Sequence, residues 1–191
     1  YNRIYERKLL NMARFTNQAQ LRYGNAVTNS NIAVGEILEV LSATKTAVRN
    51  TYGQSDTVTY IVSIVNSGTT PITGISVTDN LGEYTFGTTT LVPLTYIDGT
   101  VKYYVNGVLQ PSAVVTAGPP FVVSGITVPA GGSVTVAYEA AVNEFAPLDT
   151  TSVINNTAIV AGTGITPITA EEEITVESTP VLTITKSVSP V

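Results

Sequence analysis

Three residues of this chain have side chains that could do chemistry in a dry interior: the amine of Lys45, the carboxyl group of Asp79 and the carboxamide of Asn156. Each lies in a stretch that alternates with a period of two, the mark of a half-buried strand. Leu41, Ala43, Lys45 and Ala47 share one side; so do Ile75, Val77 and Asp79, and so do Ile154, Asn156, Ala158 and Val160. If the apolar positions face the core, the three polar groups face it with them, and buried Lys and Asp are rare unless paired or functional. Burial disfavours an ammonium, and buried lysines fall to pKa values of about 5–6, leaving a neutral amine able to attack. The same burial raises the pKa of a carboxyl group, which can then give and take a proton. Simpler readings stand beside this one. Lys45 could snorkel from a strand end into water, Asp79 before Asn80-Leu-Gly is a good turn starter, and Asn156 could bond backbone at a sheet edge. A register slip of one residue would put Asn155 in place of Asn156, while Glu139 faces away from Tyr138 and Ala140.

The elements that must hold these groups are short strands. Val58, Tyr60, Val62 and Ile64 share a face within Thr57–Val65, and Val134, Val136, Tyr138, Ala140 and Val142 share one within Ser133–Val142. Asn66-Ser-Gly-Thr-Thr-Pro is a turn cluster, and Asp98-Gly99 and Asn106-Gly107 are tight-hairpin signals around Thr100–Val105. Seven or more such strands with closely spaced turns predict an all-β chain folded as an immunoglobulin-like antiparallel β-sandwich. A weak helical pattern at 5–13 and another at 34–41 do not change that, the second being equally a strand.

The run Thr57-Val-Thr-Tyr-Ile-Val-Ser-Ile-Val-Asn-Ser-Gly-Thr-Thr-Pro-Ile-Thr-Gly-Ile-Ser-Val-Thr-Asp-Asn-Leu, with Val128-Pro-Ala-Gly-Gly-Ser-Val-Thr-Val-Ala-Tyr and Asn156-Thr-Ala-Ile-Val, resembles the domain of unknown function eleven, a repeat of bacterial cell-surface proteins. The resemblance covers about residues 41–162 and is weaker over about 83–125. The repeat is similar to the isopeptide-forming domains of fimbrial proteins and adhesins. It implies a stalk, wall or appendage module, extracellular and displayed on the bacterial surface. It also implies a spontaneous intramolecular amide cross-link, with Lys45 as nucleophile, Asp79 as proton shuttle and Asn156 as acceptor.

Composition narrows the remaining classes. The chain has 191 residues, a net charge of −5, and no His, Cys or Trp. That excludes Cys/His zinc sites, the usual Ser-His-Asp and Cys-His triads, and disulfides. Five of nine basic residues (Arg3, Arg7, Lys8, Arg14 and Arg22) crowd the first 22 positions, so the body cannot neutralise phosphates and nucleic-acid binding is not expected. No apolar run approaches the roughly 20 residues of a membrane span. No enzyme constellation, cofactor or metal site is expected, although Asp98 or Asp56 could bind calcium weakly. Tyr96, Tyr103 and Tyr104 around the hairpins suggest an alternative, an exposed platform for carbohydrate, against the commoner role of packing cross-strand neighbours. Glu171-Glu-Glu173 reads as a solvated strand start.

The chain also repeats itself. Leu182–Val188 matches Leu41–Ala47 in the placing of its lysine, and Asn17-Gln-Ala-Gln-Leu echoes Asn156-Thr-Ala-Ile-Val; the intervals to the lysine are 28 and 30 residues. The expected organisation is one complete repeat within an array. Residues 1–12 are a charged tail, or upstream sequence if Met12 is the start. Residues 13–40 form an N-terminal strand segment, 41–162 the repeat, and 163–191 strands leading into the next. Phe15–Tyr23 looks like the closing strand of another domain, either folded back on its own sheet or supplied to another subunit. Expected partners are neighbouring repeats, other subunits and cell-wall components.

Overall fold

The computed structural model describes residues 13–37, 40–111 and 113–177, and among them all regular secondary structure is strand. The first four strands are β1 (Ala13–Asn17), β2 (Gln20–Tyr23), β3 (Ala26–Asn29) and β4 (Ala33–Ile37). β2 pairs with β3 and β1 with β4, so the segment closes on itself as one interrupted hairpin about Gly24. Its ladder bonds are internal, so it is not an extra edge strand of the sandwich.

The sandwich begins with β5 (Leu41–Ala47), β6 (Thr51–Tyr52), β7 (Thr57–Asn66) and β8 (Ile72–Asp79). Next come β9 (Tyr84–Phe86), β10 (Thr89–Leu91), β11 (Leu94–Tyr96), β12 (Lys102–Val105), β13 (Val108–Leu109) and β14 (Val114–Thr116). The long strands β15 (Phe121–Val128), β16 (Ser133–Val142), β17 (Val153–Ala161) and β18 (Ile168–Val176) complete it. One sheet runs β13-β12-β16-β7-β5, with β11 also on β16; the other runs β14-β15-β8-β17-β18-β6. All pairings are antiparallel except β18 with β6. Alternation does what the sequence requires of it: Val58, Tyr60, Val62, Ile64, Val134, Val136, Tyr138 and Ala140 of one sheet meet Ile75, Val77, Val123, Ile126, Ile154, Ala158 and Val160 of the other, all nearly or wholly buried.

Two turn signals resolve differently. Asn106 and Gly107, with φ of 49° and 78°, form the two-residue hairpin between β12 and β13. Asp98-Gly99 does not form a hairpin, because β11 and β12 both lie along β16. There the chain steps aside for one turn and rejoins the same partner. The Thr100 hydroxyl donates to the Ile97 carbonyl and accepts from the Glu139 amide, which holds the step in place. In β15 the register shifts between Val123 and Ile126 at Gly125, whose φ of 78° suits a bulge that returns Ile126 to the core.

The segment expected to lead out of the unit after residue 162 is instead an inner strand of it. β18 is hydrogen-bonded along its length to β17, and Ile174 is wholly buried. Its Glu171-Glu-Glu173 run misled because strand parity sends only Glu172 inward, where it is half-buried between Ala170 and Ile174. The remainder of the 163–191 segment, from residue 178 on, and the tail at 1–12 lie outside the described residues.

Candidate functional site

Lys45, Asp79 and Asn156 come from three strands in two sheets. β5 is the edge strand of the first sheet, with Lys45 opposite Val62 of β7, and it packs across the sandwich against β18. Asp79 closes β8 opposite Phe121 on one side and Ala158 on the other. Asn156 lies two residues before Ala158 on the same inward face of β17, opposite Glu172 of β18. The side chains of Lys45 and Asp79 have no exposed surface, and Asn156 is wholly buried. Asn155 points outward and is exposed.

The Lys45 ammonium donates to Asp79 Oδ2 at 2.5 Å. The Tyr138 hydroxyl donates to the same oxygen. The other carboxylate oxygen, Oδ1, accepts the Leu81 backbone amide at 2.9 Å, so Asp79 is also the turn starter its sequence suggests. The turn Asp79–Gly82 then reaches Asn156. Leu81 and Gly82 both have positive φ, at 56° and 74°, and the Gly82 amide donates to Asn156 Oδ1 at 3.2 Å. A Cβ on Gly82 would lie 2.6 Å from the Ile154 side chain, so only glycine approaches β17 this closely. The Asn156 amide nitrogen faces the Tyr138 hydroxyl at 3.4 Å.

Aromatic rings seal this cluster. Tyr60 and Tyr138 stack at 5.7 Å, Phe121 lies 4.6 Å from Tyr138, and the Lys45 nitrogen stands 5.0 Å from the centre of the Tyr60 ring. The Tyr60 hydroxyl is buried with no hydrogen-bond partner among the described residues. Burial pushes the Lys45 pKa down to about 8 against the opposing pull of Asp79 and, more weakly, Glu172. Burial likewise raises the Tyr60 and Tyr138 phenols, offset only in part by the neighbouring Asn156 amide. The arrangement is an amine, a carboxyl group and a carboxamide packed together without water-exposed surface, all three reached by the same chain of hydrogen bonds.

Tyr138 was visible in the sequence only as one of five inward residues of its strand; a phenol on that face, among groups needing proton donors, was the signal for it. A second buried amide, Asn66, was likewise hidden in a turn cluster. It bonds the Thr70 and Pro129 carbonyls and the Gly68 amide, and so ties the β7–β8 turn to the turn before β16.

The tyrosine platform does not exist as expected. Tyr96 points into the core against Phe121 at 4.5 Å, while Tyr103 and Tyr104, adjacent on β12, are half-buried on opposite faces. Strand alternation separates them. Asp56 is committed to Arg49 at 2.9 Å and to the Gly53 amide, and among the described residues no three acidic groups are placed to hold a metal ion together.

No family model and no curated protein matches the chain. Solved structures share its fold. The pilus backbone protein RrgB of Streptococcus pneumoniae superposes with a TM-score of 0.50 at 15% identity, over 63% of this chain and 31% of that one. The full-length major pilin SpaD of Corynebacterium diphtheriae gives 0.53 at 15% identity, over 70% of this chain and 34% of that one. The chain thus spans about a third of the length of the pilins it resembles, and what it shares with them is an all-β sandwich.

Proposed function

We propose that this chain is a structural module of an extracellular bacterial surface or appendage protein, stapled by an amide bond that Lys45 and Asn156 form without an external enzyme. The observation that carries this reading is the Lys45–Asp79 pair, whose side chains have no exposed surface, set in the same sealed cluster as Asn156. A buried ion pair on its own is weak support for stability, because removing both charges from water cancels most of their attraction. A cluster kept despite that cost suits chemistry better than packing.

The proposed steps run within this cluster, whose hydrogen bonds link Lys45 to Asn156 through Asp79 and Tyr138. Lys45 passes a proton to Asp79, and the neutral amine attacks Cγ of Asn156. A carbon–nitrogen bond forms, the carbonyl electrons move to Oδ1 beside the Gly82 amide, and the tetrahedral centre collapses as ammonia leaves. The new amide closes a loop of 111 residues, which constrains the unfolded chain by about 4–5 kcal/mol. The module turns over no external substrate; neighbouring repeats or other subunits are its partners.

Intact mass decides the matter. The expected mass is one ammonia below the sequence mass, with a proteolytic fragment joining Lys45 to Asn156, and the full sequence mass in Lys45→Ala and Asn156→Ala variants. An unmodified mass in the folded wild-type protein would leave Lys45–Asp79 as a simple buried ion pair and end the reading.

A further inference from the structure

The hydrogen bonds about Asn156 define how its leaving group can be protonated. A backbone N–H only donates, so the Gly82 amide fixes the oxygen of the carboxamide on its side of the residue. The amide nitrogen must then face the other way, toward the Tyr138 hydroxyl. Asp79 spends Oδ1 on the Leu81 amide and Oδ2 on Lys45 and Tyr138, and it makes no hydrogen bond to Asn156 among the described residues. The carboxyl group is therefore one residue short of the nitrogen that has to depart, and Tyr138 fills the gap.

We propose that Tyr138 is a catalytic residue of the cross-linking reaction, relaying a proton from Asp79 to the nitrogen that leaves Asn156. This inference rests on the cross-link reading above. In the resting amide, resonance occupies the nitrogen lone pair, so that nitrogen donates to the phenol oxygen. Once Cγ is tetrahedral the lone pair is free and the contact reverses. The phenol then gives its proton to the nitrogen while Asp79, carrying the proton taken from Lys45, gives one to the phenol oxygen. The attacking nitrogen loses its second proton to the Asp79 carboxylate as the bond to the old amide nitrogen breaks. The products are the new secondary amide, ammonia and a protonated Asp79, with every proton accounted for. The Tyr60 and Phe121 rings pack against the Tyr138 ring and restrain it.

The test is a pulse of cell-free synthesis of the full chain, sampled over time by intact mass. Tyr138→Phe keeps the ring and removes the hydroxyl; loss of ammonia should slow by about 100-fold, the scale of a missing general acid. Tyr96→Phe removes a hydroxyl from another buried ring outside the cluster and should react at the wild-type rate. A Tyr138→Phe rate within about twofold of wild type would overturn the relay and leave the cross-link standing. A wild-type chain that never loses ammonia would overturn both. Should Tyr138→Phe fail to fold, judged by near-ultraviolet circular dichroism, 2,3-difluorotyrosine at position 138 keeps the shape and makes the phenol more acidic. The relay requires its rate to differ from wild type, and an unchanged rate would refute it.

Discussion

Lys45 is pulled two ways, and the balance sets a pH dependence. Burial lowers its pKa from the ordinary 10.5 to about 8, while Asp79 and Glu172 pull it back up. Below about pH 8 the folded and unfolded chains both hold the proton, and the folded state bears the whole cost of an interior ammonium. Between about 8 and 10.5 the unfolded chain keeps a proton that the folded one has lost, so stability rises with pH. Above the ordinary tyrosine value of 10.0 the trend opposes this, because Tyr60 and Tyr138 keep their protons when folded and release them when unfolded. An Asn156→Ala chain isolates the effect, having no acceptor for the amine. Its urea midpoint should climb from pH 7 to 9.5, and the climb should vanish when Lys45→Met and Asp79→Asn are added. Equal, flat profiles would mean that the amine titrates as if in water. Gly82→Ala tests the other end of the site. A side chain at φ 74° and 2.6 Å from Ile154 should cost about 2 kcal/mol or more and displace the amide that holds Asn156 Oδ1. The expected outcome is both a lower melting temperature and slower loss of ammonia.

At the scale of elements, β18 shows where the sequence was readable and where it was not. Parity alone gave the inward faces of β5, β8 and β17, because apolar residues flank the polar one in β5 and β17 and lead up to it in β8, which Asp79 ends. Asp79, Lys45 and Asn156 were legible for that reason. β18 carries Glu172 between Ala170 and Ile174 within a run of three glutamates, and a charge run reads as solvent-facing until a partner strand is known. Which strands neighbour one another is a long-range fact that local alternation does not contain. The same limit hid the path of β11 and β12 along β16 behind an Asp-Gly turn signal, and hid Tyr138 among apolar neighbours. The consequence is testable by truncation. A chain ending at residue 162 loses Ile174 and Ala170 from the core and bares the whole β17 edge. It should show no cooperative thermal transition, whereas a chain ending at residue 177 should melt cooperatively. Ile174→Ala in the latter should cost about 2–5 kcal/mol. A folded, cooperative 1–162 chain would show β18 to be dispensable.

For the whole molecule, the position of Asn156 on β17 rather than on β18 decides how a stapled module would carry tension. Pull applied before β5 and after β18 would reach a Lys45–Asn156 bond only after the chain outside it had been drawn straight. β18 is the part that gives way. Its end is held by the parallel pairing with β6, by the Glu177 amide on the Tyr52 carbonyl, and by Arg49 against Glu177 at 3.6 Å. Once those bonds part, β18 peels from β17 one ladder bond at a time, because the turn joining these strands lies at the far end from the pull. With the staple in place, extension would stop at Asn156. The slack is then about 25 residues, those between 41 and 45 and between 156 and 177, or roughly 80–90 Å at full extension. Without the staple, the same pull unravels about 137 residues, roughly 450–490 Å. Single-molecule stretching of wild-type and Lys45→Ala chains should therefore give a short reversible lengthening in the first and a long one in the second. Equal long extensions in both would mean that no covalent bond joins the two sheets.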